Sequence, residues 1–385
     1  MLVANPNFSV APNVLERNFV RADLGPLAFI IGRKIAKMEF ETELRGNGRS
    51  NSGLLTDLPI IGRLLRACGY EATASGAGTE TVIGPYSIGD DPVPVTVTAS
   101  ASGATNTDVV TYWIEVTTGG ASGTAQITIT SDTVGEGVAA NSITSGTPEV
   151  LGTLGATFTA SWTGNLVLGQ RWVVWLLPPG TKLKPRSDGF ESVTLVMNKD
   201  GVQHLMAGSF GTFEITASAG AYASIKWTFT GTYAAPTDVT LPTTVVFEKT
   251  LPAQVELGRL KLDNYQAIVE KFTFNQANDI QIRPDVSSSD GYIGIRIVGR
   301  KPEGGVNPEA EAVADYDFWN RMATAQRMPF NMRVGTVPGN IVWMFGSNTQ
   351  YTGLTYTDRN GILTYDAGLR FSRNVLDDEM QFFFC

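Results

Sequence analysis

The chain has 385 residues, a formal net charge of -8 and a sequence pI near 4.9. That length leads to an expectation of two or three domains, and it buries enough core to fold without disulfides or a structural metal. Cys68 and Cys385 stand far apart with no C-x-x-C spacing, and His204 is the only histidine, so cysteine-rich zinc sites and multi-histidine metal centres are excluded. Charged residues make up only 17% of the chain, which leaves a surface of Ser, Thr, Asn and Gly suited to self-association. The acidic balance argues against phosphate-neutralising affinity for nucleic acid, and any contact with DNA is expected to be non-adhesive.

The first twenty residues show no basic segment followed by an apolar one and do not read as a secretory signal. The longest apolar runs, 27–31 and 172–177, are far too short to cross a bilayer, so no membrane association is expected. Residues 1–24, interrupted by Pro6 and Pro12, carry neither helical nor strand periodicity and read as an arm that becomes ordered only against something else. From 36 to 45 the alternation is regular. Ala36, Met38, Phe40, Thr42 and Leu44 fall on one face, and Lys37, Glu39, Glu41, Glu43 and Arg45 on the other, as in a half-buried strand. The polar loop GNGRSNSG follows, and then Asp57 caps a short helix whose apolar stripe is Ile60, Ile61, Leu64 and Leu65, ending at Gly69.

Composition changes at residue 92. Between 92 and 178 there are five acidic residues, one arginine (Arg171) and no lysine, and β-prone runs at 95–98, 109–116, 125–130, 157–162 and 171–176 alternate with Gly/Ser/Asn clusters. This texture predicts an inserted all-β sandwich of immunoglobulin-like type, without the cysteine pair of true immunoglobulin domains. The division is therefore 1–91 and 179–385 as two parts of one body, with 92–178 between them. Downstream, strands are predicted at 193–197, 212–217 and 224–230, with a turn at Lys199, Asp200 and Gly201. A strand over 291–300 is expected to place Ile293, Ile295 and Ile297 on one face. A second helix is predicted from an Asn307 cap to about Gln326, burying Ala314, Phe318 and Met322, and a hairpin is predicted to turn at residues 358–361. The fold class is mainly β with two helices.

No G-x-S-x-G, P-loop or G-x-G-x-x-G pattern occurs, and His204 reads as structural. Asp377, Asp378 and Glu379 lack calcium-loop spacing and read as a solvated acidic turn. Trp113, Trp162, Trp172 and Trp175 read as sandwich core in preference to a sugar-stacking platform. No catalytic, metal or cofactor site is expected, and a surface-glycan-binding sandwich module or virion adhesin is the alternative reading.

Several segments together resemble the major tail tube proteins of long-tailed, non-contractile bacteriophages. They are FETELRGNG at 40–48, GRLLRACGYE at 62–71, PRSDGFESVTLVMNKDGVQHLMAGSFGTF at 185–213, IKWTFTGTY at 225–233, the NPEAEAVADYDFW segment from 307, and PGNIVWMFGSNTQYTGLTYTDRNG ending at 361. The resemblance covers most of 20–91 and 179–385. It implies a β-rich subunit whose sheet joins its neighbours' sheets in a ring, commonly of six, with rings stacked into a hollow tube that passes DNA. It also implies a virion-tail location after assembly in the host cytoplasm, contacts with tape measure, tail terminator and distal tail proteins, and the insertion as an outer decoration. On this reading Glu39, Glu41 and Glu43 face the lumen, and the 1–24 arm and the 46–57 loop reach the next ring, with Arg45, Asn47, Arg49 and Asn51 as contacts.

Overall fold

The computed structural model describes residues 2–17, 19, 25, 27–48, 58–75, 81–88, 95–102, 106–245, 247, 249–256 and 258–385. It is mainly β, with 58% strand and 4% helix, as the sequence patterning predicts. One antiparallel sheet organises the chain. Its strands lie side by side in the order Ala4–Leu15, Ile30–Glu43, Ser224–Tyr233, Val202–Ser218, Val269–Asn275, Glu303–Pro308, Ile362–Ser372, Val342–Arg359, Met328–Val334, Leu260–Leu262 and Tyr265–Gln266.

Side-chain alternation fixes which way this sheet faces, because a slip of one residue would turn every apolar side chain out to water. In Ile30–Glu43, Ala36, Met38 and Phe40 are buried, and they join Phe213, Ile215, Trp227, Phe229, Phe272 and Phe274 from the adjacent strands in one core. Helix Ile60–Ala67 covers part of that core with Ile61, Leu64 and Leu65, whereas Ile60 is exposed, so its stripe is one residue narrower than the sequence suggested. Gly69, with φ of 89°, ends the helix in a left-handed conformation that favours glycine. Asp57, the expected cap, lies outside the described residues.

Four expectations are corrected. The 1–24 segment contains a true strand, Ala4–Leu15, although its sequence lacks strand periodicity. Pairing along Ile30–Glu43, with Phe8 opposite Met38 and Val10 opposite Ala36, supplies the order that local sequence does not. The helix expected from Asn307 is absent until Phe318–Ala323, where Asp317 caps by accepting from the Asn320 backbone N–H at 2.9 Å. The sheet has taken the 303–308 backbone, and the Asn307 side chain accepts from the Lys271 N–H at 2.7 Å across the ladder, not from its own helix. Phe318 is buried as predicted, Met322 is half-buried, and Ala314 is exposed. Ile293 is also exposed, because a register shift between Arg283 and Pro284 breaks the alternation and puts Tyr292 inside with Ile295 and Ile297.

The acidic turn near the C-terminus is the fourth correction. Arg300 bonds Asp377 at 2.5 Å and Glu379 at 3.1 Å, and Asp378 is buried, accepting from the Asn374 and Val375 N–H groups at 2.9 and 3.0 Å. These carboxylates tie the C-terminal segment to strand Tyr292–Arg300 and are not a solvated turn.

Within the compositionally distinct stretch, each predicted strand is present, together with Val138–Ser142 and Pro148–Val150. Three strands form one sheet and five form another, and the five include Thr81–Ser87 from upstream of residue 92, paired with Arg171–Leu177. The two sheets share a core in which Phe158 meets Trp172, with ring centroids 5.6 Å apart. Trp113 and Trp175 point the other way, into a cluster with Ile341, Trp343, Phe345 and Phe383 of the main body. Arg171 reaches Asp263 with two contacts of 3.0 and 3.2 Å, and Arg333 reaches Asp108 at 2.6 Å, so the apolar joint is ringed by ion pairs.

Two outcomes are expected. Trp175→Ala empties a fully buried site and should lower stability by about 3–5 kcal/mol in denaturant unfolding, with earlier proteolysis at the joint. Arg300→Met leaves two largely buried carboxylates uncompensated, at a cost of about 3–5 kcal/mol. Burial pushes the Asp377 carboxyl up, but the Ser187 hydroxyl and Arg300 more than offset this and hold it below the ordinary carboxylate range. The stability from that depressed carboxyl is therefore present above about pH 4 and lost as pH falls through its folded value. The gap between wild type and Arg300→Met in unfolding curves should be full at neutral pH and should narrow progressively as the pH is lowered below about 4.

Candidate assembly surface

Opposite the core, the sheet presents a polar face whose residues run in register from strand to strand. One row passes through Glu41, Lys226, Glu214, Asn275, Glu303, Arg370 and Gln350. Acids and bases alternate along much of it, an arrangement in which cross-strand neighbours attract. The next row contains Glu43, Ser224, Thr216, Thr273, Gly305, Gly368 and Gly353. A Cβ on Gly353 would meet nothing within 4 Å, so packing does not demand glycine there. Its effect is to leave that part of the face bare, and hydroxyls and hydrogens cover most of the row.

Glu39, Glu41 and Glu43 all lie on this polar face and are half-buried. The Glu39 carboxylate contacts the Lys37 ammonium at 2.5 Å, and that hydrogen bond holds it below the ordinary carboxylate range. Glu41 stands opposite Lys226 and is within 3.5 Å of the Asn5 side-chain nitrogen. Glu43 pairs with Arg45 at 3.2 Å. Arg45 itself is buried and donates to the Thr250 carbonyl at 2.7 Å, so its guanidinium is engaged inside the chain. Asn47 is half-buried, and Arg49 and Asn51 lie outside the described residues. Sequence reasoning missed Lys226, Glu214, Glu303 and Arg370. The alternation of Phe213, Glu214 and Ile215 was a usable signal, whereas no local pattern reveals that three glycines from three strands align.

Both ends of the polar face finish on open backbone. Among the described residues, Ala4–Leu15 has a partner strand on one side only, and so do residues 353–359, which pair with 362–368 alone. Apolar side chains stand uncovered at these edges: Leu15 is 47% exposed, Ile31 50% and Tyr356 54%.

Chemistry of other kinds finds little support. Among the described residues no group of three His, Cys, Asp or Glu side chains is placed to hold a metal ion. Cys68 and Cys385 are free and buried, and burial pushes both thiols up, away from nucleophilic reactivity. The His204 ring stacks on Phe8, centroid to centroid 4.5 Å, as a packing residue. A cleft of about 890 Å³ at the end of the first hairpin is lined by Leu15, Ile31, Arg33, Lys34, Tyr233 and Tyr292, among others, without a nucleophile and base in contact. Trp113, Trp162, Trp172 and Trp175 are all buried and offer no stacking platform for a sugar. No helix among the described residues is long and apolar enough to cross a membrane.

No curated protein matches the chain. The family model described as phage tail tube protein matches residues 3–367, nearly the whole length and both sides of the sandwich. A two-faced sheet with open edges suits a self-associating structural subunit, and the chain belongs to the phage tail tube protein family.

Proposed function

We infer that copies of this chain join edge to edge into rings, and that the rings stack into the hollow tail tube of a long-tailed, non-contractile phage, through which the genome leaves. The observation that carries this reading is the main sheet itself. From Ile30–Glu43 across to Ile362–Ser372 and residues 350–359 of the long strand, one face is core and the other polar, and among the described residues the edges at both ends of that surface lack partner strands. A heterologous contact between identical subunits satisfies such edges and closes if the rotation allows.

The polar face is the wall of the bore, with Glu39, Glu41 and Glu43 turned inward. A duplex is held to proteins chiefly by cations that displace its counterions, so a wall whose bases are matched by nearby acids lets it slide. Residues 92–178, with Thr81–Ser87 drawn into their sheet, form an immunoglobulin-like decoration on the outside, attached to the side of the 342–345 segment that faces away from the main core. The loop 46–57 serves contacts between rings, whereas the strand Ala4–Leu15 of the 1–24 arm is one of the edges that join copies within a ring. Tape measure, terminator and distal tail proteins are the other partners, and assembly takes place in the host cytoplasm. The subunit performs no catalysis and takes no cofactor.

Electron microscopy of the purified chain over a range of concentrations is expected to show rings or tubes. Monomers at every concentration would reject the assignment. In a Glu39→Lys, Glu41→Lys, Glu43→Lys variant, tubes should still form but DNA should be retained, with salt-dependent binding that steepens by about 0.9 in log–log slope per phosphate contacted. Equal DNA release by the variant and wild type would place these carboxylates away from the bore.

A further inference from the structure

The main sheet contains the same four-strand arrangement twice. In the first instance Ala4–Leu15, Ile30–Glu43, Ser224–Tyr233 and Val202–Ser218 lie side by side, and in the second Val269–Asn275, Glu303–Pro308, Ile362–Ser372 and Val342–Arg359 do. Chain order matches as well as spatial order. In both, the first two strands come first, a short helix follows (Ile60–Ala67 or Phe318–Ala323), and a long strand then turns back into the strand that pairs with the second. In both, the first half of the long strand is occupied by the strand just before it: Val193–Lys199 lies on 202–209, and Met328–Val334 lies on 342–349. The sandwich interrupts the first unit and the hairpin 278–300 interrupts the second.

The two units meet inside the chain at a junction that can be read directly. The second half of the first long strand, residues 214–218, pairs antiparallel with Val269–Asn275, the first strand of the second unit. Phe272 and Phe274 are thereby fully buried. The corresponding half of the second long strand, residues 353–359, has no such strand among the described residues, and its Tyr356 is 54% exposed. At the far end of the sheet, the first strand of the first unit, Ala4–Leu15, has an open outer edge, and its core-side Phe8 and Val10 are only half-buried. Each open position lacks what the other offers.

We propose that the Ala4–Leu15 strand of one copy pairs antiparallel with residues 353–359 of the next, reproducing between chains the junction that 214–218 and Val269–Asn275 form within one. Phe8 and Val10 then cover Leu354 and Tyr356. The inference rests on the tube reading and adds to it that each chain supplies two ring units, so that a ring holds twice as many units as chains. Eight strands per chain, spaced about 4.8 Å and tilted about 40°, span roughly 50 Å of circumference. Two chains would close at a sheet diameter of about 32 Å, which side chains of about 5 Å on each wall narrow to roughly the width of a duplex. Three close at about 48 Å and leave clearance, whereas six would give a bore of about 85 Å that touches nothing it should guide. Three chains, and so six units, make the smallest ring that leaves clearance around a duplex.

Paired cysteines test this in the full chain, since the native thiols are buried. Ser9→Cys combined with Thr355→Cys, and Ser9→Cys combined with Thr357→Cys, are assembled, oxidised and run on denaturing gels. Single-cysteine chains serve as controls. The expected result is an interchain ladder that ends at a closed species of three chains, in at least one pairing, and threefold symmetry in tube cross-sections. Tubes that assemble without interchain disulfides in either pairing, or a ladder that runs on to six chains, would overturn the inference while leaving the tube reading intact. Failure to form rings or tubes in wild type would instead sink the tube reading beneath it.

Discussion

The period of two along an extended strand is the constraint from which the rest of this molecule follows. Because successive side chains point to opposite faces, a strand that alternates apolar and polar residues builds a core on one side and a second surface on the other. Here the pattern continues across the strands in register, so that Glu41, Lys226, Glu214, Asn275, Glu303 and Arg370 lie in one line. No single strand holds this surface together. It exists because antiparallel pairing fixes each register, and a one-residue slip anywhere would bring a core phenylalanine into it.

The charges on that surface are arranged for neutrality at short range and a slight anionic excess at long range. Lys37 sits on Glu39 and Lys226 lies between Glu41 and Glu214, so these cations on the surface each have an acid beside them. Exposed pairs of this kind contribute little to stability, typically below about 1 kcal/mol, which makes a role in setting the surface potential the better account of them. The ion pairs at the sandwich joint differ in kind. Asp263 is 2% exposed in its side chain and takes Arg171 and Arg321 together, so removing either cation would leave a buried carboxylate short of a partner. Buried charge and apolar contact together hold the sandwich against the main body.

Much of the fold was legible in the sequence where local pattern and tertiary pairing agree. The alternation at 36–45, the Asp200-Gly201 and Asn360-Gly361 turns with positive φ, and the β-prone runs between 92 and 178 all settle as their residues prefer. The 307–326 segment failed because good helix signals, a cap followed by proline and glutamates, were outbid by ladder partners more than thirty residues away. Ala4–Leu15 failed in the opposite sense, since a segment with weak local preference acquired strand form from its neighbour alone. Of the candidate site, the glutamates at 39, 41 and 43 were readable by periodicity. The cations that accompany them come from other strands, and only register brings them near.

The prolines in the first strand bear on how far an edge can be extended. Pro6 and Pro12 each lack an N–H, and proline on an edge limits where a further strand can pair. An open edge with unlimited pairing capacity would invite irregular aggregation in the cell before assembly. Between the two prolines only five residues, Asn7, Phe8, Ser9, Val10 and Ala11, offer uninterrupted backbone, and two of them carry the half-buried apolar side chains of the core face. A partner must therefore present a short stretch of strand and an apolar surface at the same time. Few random encounters meet both conditions, so an edge interrupted in this way restrains promiscuous pairing while leaving room for one specific contact.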